Sequence, residues 1–200
     1  MTFIHRDEAD RIVRPYFDDL TFVMHTAWGD WRTGGLAHQL QHKRVRANYV
    51  WNQLLSHAKR RFDARESVRV ETLRNWDGVL IDDRVFIRMK KGSHELLSRN
   101  YPTQAALAFH DQVQDLFGGI ARLELLYILD DAETEIERIV LIQRHKKSVA
   151  WSIDLLGEVF DVQNVIAFVP TPIAGSPADR MIKPKEGNLE GEHWKPQSGS

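Results

Sequence analysis

The sequence predicts an α+β fold, an N-terminal helical pair packed on an antiparallel sheet that ends in a three-stranded meander, in the order ααβββαβββ. Three observations predict it. Apolar residues recur every three or four positions up to about residue 62, broken by Gly34-Gly35. Beyond residue 67 the period falls to two, in short runs separated by turn residues. A second helical stretch divides those runs into two groups of three.

Each element has its own reason. Residues 7–32 carry a helical pattern with a break near Pro15, which lacks a backbone donor and clashes within a helix. After the break Phe17, Leu20, Val23, Met24 and Ala27 share a face. The next helix is predicted over 36–62 with the stripe Leu36, Leu40, Ala47, Trp51, Leu54, Ala58 and Phe62, and the short glycine turn makes the two helices an antiparallel pair. Strands follow at 68–72, 78–81 and 84–89, the last two joined by Asp82-Asp83 as a hairpin turn. Residues 92–102 form a polar loop. Thr103 then caps a helix whose face is Ala106, Phe109, Val113, Leu116 and Phe117, stopped by Gly118-Gly119. In the meander Leu123, Leu125, Tyr127 and Leu129 alternate along one strand, residues 135–143 form the second, and Val149, Trp151, Ile153 and Leu155 share a face of the third. One buried face is expected for each. The domain is expected over 1–168. Residues 169–200, with five of the chain's seven prolines, are expected to be a disordered tail.

Composition narrows the function classes. The chain has no cysteine, which excludes disulfides, iron–sulfur clusters and thiolate zinc sites and points to a reducing, cytoplasmic setting. No apolar run is long enough to span a bilayer, and the acidic opening lacks a signal-peptide pattern. Net charge is −1, so there is no global basic footprint. Local asymmetry is present: Lys43, Arg44, Arg46, Lys59, Arg60 and Arg61 face a single Asp63 between residues 36 and 64. Such a stretch either guides a partner or is an ordinary solvated helix face.

Three constellations carry candidate chemistry. His38 and His42 have the i, i+4 spacing of a metal pair, but the residue after the first histidine is Gln39, not a glutamate that could activate water. The order helix, three strands, helix, strand overlaps the plan of PD-(D/E)xK nucleases, which place an aspartate on the second strand and acid-x-lysine on the third to hold Mg²⁺. Asp77, Asp82 or Asp83 is available as the first acid and Lys90 as the lysine, but Arg88 stands where the second acid belongs. A guanidinium there repels a metal. Finally, Arg44, Arg46, Arg88, Lys90, Lys91 and Arg99, with Asn100 and Gln104, form a candidate phosphate-gripping set. Trp51 and Tyr49 are expected to pack as core residues and not to offer stacking platforms. No nucleophile elbow, phosphate cradle or dinucleotide fingerprint occurs.

Two stretches carry a resemblance. One is Val85-Phe86-Ile87-Arg88-Met89-Lys90-Lys91 with Ser98-Arg99-Asn100, Pro102-Thr103-Gln104 and Gln112. The other is residues 123–129 with Thr134, Ile136 and residues 149–155. Over about residues 44–156 the chain resembles uncharacterised bacterial and phage proteins encoded beside ImmA/IrrE-type metallopeptidase regulators in mobile elements. It departs from them in having Leu126-Tyr127 where Gly-Tyr is common. The resemblance implies a partner or regulatory protein more than an enzyme, with Arg88, Lys90, Asn100 and Gln104 as the residues of interest. The clustered charge, the absent catalytic set and the tail point to an antitoxin-like or regulatory module of a mobile element or defence system, meeting a protein partner or nucleic acid through its basic residues. No cofactor is expected, Mg²⁺ entering only under the nuclease alternative.

Overall fold

The computed structural model describes residues 2–35, 37, 39–40, 42–98 and 103–157. The expected tail at 169–200 lies outside the described residues. The fold is α+β. Helices α1 (Arg6–Val13), α2 (Phe17–Thr33) and α3 (Lys43–Phe62) precede strands β1 (Val68–Leu73), β2 (Trp76–Ile81) and β3 (Val85–Lys91), then α4 (Gln104–His110), then β4 (Ala121–Leu129), β5 (Ile136–His145) and β6 (Ser148–Asp154).

Pro15 acts as expected. It ends α1 in a 3₁₀ turn, Arg14–Tyr16, from which α2 restarts. Helix α2 buries Leu20, Val23, Met24, Ala27, Trp28 and Trp31 at steps of three and four. Two of its carboxylates fix α3 antiparallel to it. Asp19, itself buried, accepts hydrogen bonds from Arg61 Nε and Arg65 Nη2, each at 2.6 Å. Asp30 takes Gln53 Nε2 at 2.8 Å and His57 Nε2 at 2.6 Å. Helix α3 starts at Lys43 and not at 36, and its buried stripe is Val50, Leu54, Ala58 and Phe62. Leu54, Ala58 and Phe62 are buried as expected, but Val50 takes the place in that stripe expected for Trp51, which is 38% exposed.

The strands form one six-stranded sheet in sequence order. Four of the pairings are antiparallel. The β3/β4 pair is parallel, setting Arg88 opposite Glu124. The expected Asp82-Asp83 hairpin is present, with both residues at positive φ (52° and 53°), the geometry that suits right-twisted strands. Arg74-Asn75 makes a second turn of this kind between β1 and β2.

The parallel step governs the layering. Parallel neighbours need a crossover, whose described residues, α4 with Phe117 and Ile120 among them, lie on the sheet face away from α1–α3. The expected meander with one buried face is therefore corrected. On β4, Leu123, Leu125, Tyr127 and Leu129 pack into the helical core, while Arg122, Glu124, Leu126 and Ile128 are equally buried on the other side. The predicted long helix after Thr103 shrinks to α4. Asp111 accepts from Val113 N at 3.2 Å, and Asp115 accepts from Phe117 N and Gly119 N, so side-chain bonds to the backbone replace helical ones and Val113 is exposed. Val149 also changes face. A register shift at Gln143/Arg144 packs it with Leu96 and Leu126, apart from Trp151 and Ile153.

Gly78 marks the point where β2 begins to leave β3. A Cβ there would stand 2.5 Å from the Ile87 carbonyl oxygen and 2.7 Å from the Phe86 ring. Gly78→Ala is expected to destabilise the chain by about 1–3 kcal/mol, read as a lower urea midpoint at unchanged m-value. An unchanged midpoint would mean the strands part without resistance at this point.

Candidate anion-binding cleft

Strand β2 pairs with β1 along its whole length, but with β3 only from Val79 to Ile81 against Val85 to Ile87. Past Ile87 the two strands diverge, and the residues at issue, Asp77 and Arg88 to Lys91, flank the fork.

Arg88 turns into the protein. Its guanidinium carbon lies 4.1 Å from the Trp76 ring centroid and 4.6 Å from that of Phe109. Across the parallel register stands Glu124, fully buried. Ser98 Oγ donates to Glu124 Oε2 at 3.1 Å, and Arg144 Nη1, 3.8 Å from that oxygen, donates to Ser98 Oγ at 3.0 Å. His110 Nε2 lies 3.1 Å from Glu124 Oε1, near enough for an ion pair though off the line of a hydrogen bond. Burial pushes the Glu124 carboxyl up, but His110, Arg88 and Arg144 outweigh it and hold the group below its ordinary value. Burial draws Arg88 down to about 10, against the pull of Glu124 and Asp77. Arg88 is thus an internal cation. Nearby Arg122, buried on the same strand face, donates to the Ala108, Asp111 and Gln114 carbonyls and to Thr2 Oγ1, tying the crossover to the sheet.

Between α3 and the end of β3 lies a cleft of about 360 Å³. Ala47, Asn48, Trp51 and Leu54 wall it, Met89, Lys90 and Lys91 line β3, and Tyr127 closes it from β4. Among the described residues no carboxylate lines it. Lys91 is held by Glu133 at 2.7 Å. Arg46 bonds the same carboxylate and stacks on Trp28, and together these two cations hold Glu133 down to about 2. Lys90 makes no ion pair among the described residues. Burial and the adjacent Arg88 draw its ammonium down to about 8, while Glu124 and Asp77 pull the other way. Arg44 is exposed, without an ion pair among the described residues, and sits one turn before Asn48 on the same helix face.

The remaining sequence candidates are spread out. Asp77 is half-buried and accepts from Thr72 Oγ1 at 2.6 Å. Asp82 stands in the turn at the opposite end of β3 from Lys90. Gln104 is exposed at the start of α4, on the crossover side of the sheet. Arg99, Asn100 and His38 lie outside the described residues. His42 is the N-cap of α3, in extended conformation, and stands outside that helix. Among the described residues no group of three or more histidine, aspartate or glutamate side chains could hold a metal ion. The reading from sequence missed Glu124, Arg122, His110 and the cleft-lining role of Trp51. One signal for the first two was present: Leu126 and Ile128 occupy what the alternation made a solvent face, so that face had to be covered.

Comparison of the chain with protein-family models, with curated proteins and with solved structures found no match in any of the three.

The Lys90 ammonium yields a pH dependence. Between about 8 and the ordinary lysine value of 10.5 the folded chain holds Lys90 neutral while the unfolded chain keeps it charged. The folded state then binds fewer protons, so stability rises with pH across that window. Urea unfolding from pH 7 to 10.5 should show wild type gaining stability relative to Lys90→Met as pH increases. Parallel profiles for the two would contradict the burial of this amine.

Proposed function

We propose that the protein acts by binding, and that the cleft between α3 and β3 grips the phosphates of a nucleic acid. One observation carries this reading: among the described residues no carboxylate lines the cleft, and its α3 wall, Ala47 and Asn48, continues one turn back to Arg44, exposed and without an ion pair among those residues. A cation so placed gains a charge-assisted contact by taking an anion. Gripping without cutting suits a regulatory, antitoxin-like module of a mobile element or defence system, and the sequence resemblance likewise implies a regulatory protein of mobile elements. A cysteine-free chain suits a cytoplasmic one. An acidic protein partner is the other outcome that the binding assay would reveal.

One observation favours a second reading, a divergent Mg²⁺-dependent nuclease. Asp77 and Lys90 act electrostatically on each other beside the β2/β3 fork. Against it, the side chain in the second acid's place is Arg88, clamped by Trp76 and Phe109. Incubation with plasmid and RNA, with and without Mg²⁺ or Mn²⁺, separates the readings. Metal-dependent cleavage abolished by Lys90→Ala supports the nuclease.

For the binding reading, fluorescence anisotropy with labelled DNA and RNA oligonucleotides at low salt should show affinity that falls steeply as salt rises. Arg44→Gln should weaken binding about 3- to 10-fold on all sequences and reduce the log–log salt slope by about one. Binding indifferent to Arg44→Gln, or no binding at low salt, would overturn it.

A further inference from the structure

We infer that the exposed stripe of α3, Arg44, Asn48, Asn52 and Lys59, lies in the major groove of duplex DNA, its amides at base edges and its cations at phosphates. This rests on the phosphate-gripping reading above and adds the class of nucleic acid.

The charge of α3 carries it. The helix has six cationic side chains and no acidic one. Three of the six are engaged elsewhere: Arg46 with Glu133, Arg61 with Asp19 and Arg60 with the His57 ring. Lys43 stands 3.8 Å from Glu133. Arg44 and Lys59 are exposed and make no ion pair among the described residues. An acid three or four residues away on the helix would neutralise such a cation. Helix α3 supplies none, and Asp63 follows at the C-cap without pairing to Lys59. The face is complementary to an anion from outside the chain.

Between the two cations stand the asparagines. Counted at about 3.6 residues per turn, Arg44, Asn48, Asn52 and Lys59 fall within about a quarter of the helix circumference. Asn48 and Asn52 are exposed and make no hydrogen bond among the described residues. Asparagine is a poor helix former, so two of them on an exposed helix interior lower stability without a structural return. Each amide offers a donor and an acceptor together, the pair that meets N7 and N6 of adenine in the major groove.

Dimensions narrow the ligand. Arg44 and Lys59 are fifteen residues apart, about 22 Å along the helix axis. A major groove about 12 Å wide admits a helix, and ends so spaced reach the strands on both sides. The deep, narrow major groove of duplex RNA shuts a helix out. A single strand has no groove for the stripe to enter. The cleft lies on the flank of this stripe, at Ala47, Asn48 and Trp51, so the strand met there borders the same groove.

The test titrates the full chain at low salt into fluorescein-labelled probes: a 20-base-pair alternating A·T DNA duplex, the same duplex with 7-deazaadenine, an alternating A·U RNA duplex and a thymidine 20-mer. The DNA duplex should bind about 10-fold or more tighter than the RNA duplex or the single strand. Removing adenine N7 should weaken it about 5-fold or more. Asn48→Ala with Asn52→Ala, a change that favours the helix, should erase that N7 dependence. Lys59→Gln, at a residue outside the cleft, should weaken binding about 3- to 10-fold and lower the log–log salt slope by about one. Binding of the RNA duplex or the thymidine strand as tight as that of the DNA duplex overturns the inference and leaves the phosphate-gripping reading standing. Indifference to N7 removal or to Lys59→Gln does the same. Failure of every probe to bind at low salt overturns both.

Discussion

A carboxylate with no exposure to solvent, Glu124, sits directly across the parallel β3/β4 register from Arg88, and the arrangement of the second sheet face follows from that pairing. An isolated charge in such a place is prohibitively costly, so it must be matched and hydrogen-bonded. The crossover provides the matching groups: His110 ends α4, Ser98 comes from the loop before it, and Arg144 reaches over from β5. Phe109 and Trp76 then seal Arg88 from water. The short crossover helix is positioned by this charge cluster as much as by its own propensity.

That arrangement divides the cations into two populations. Arg46 and Lys91 share Glu133, Arg61 and Arg65 share Asp19, and Arg88 and Arg122 are interior. These charges hold elements together and are not available to a partner without breaking a native contact. Arg44, exposed beside the cleft, makes no ion pair among the described residues, while Lys90 shares the crossover face of β3 with Arg88. Local charge density in the sequence therefore overstated the basic surface.

Much of the fold was legible because its elements are built from local signals. Pro15 restarting a helix, the two aspartates of the β2/β3 turn and the Thr103 cap each act within a few residues. The parallel pairing and the second buried layer were not legible, because they depend on contacts across the crossover. Arg122 and Glu124 read as solvent-facing only if the strand has one covered face. The same limit hid the site. Trp51 fits an apolar stripe by spacing, but Val50, at the edge of the same face, is the residue α3 puts into the core. Arg88 and Lys90 were both sequence candidates, and only three-dimensional neighbours show them sharing the crossover face of β3, Arg88 clamped between Trp76 and Phe109.

The central claim is that Arg88 is a structural counter-charge to Glu124 and not a ligand-binding or catalytic group. A double-mutant cycle on stability, using Arg88→Met, Glu124→Gln and the pair together in urea unfolding, tests this most directly. The account predicts that each single change is strongly destabilising and that the double variant loses less than their sum by about 1–3 kcal/mol. Strictly additive losses would show that the two charges do not depend on one another and would contradict it.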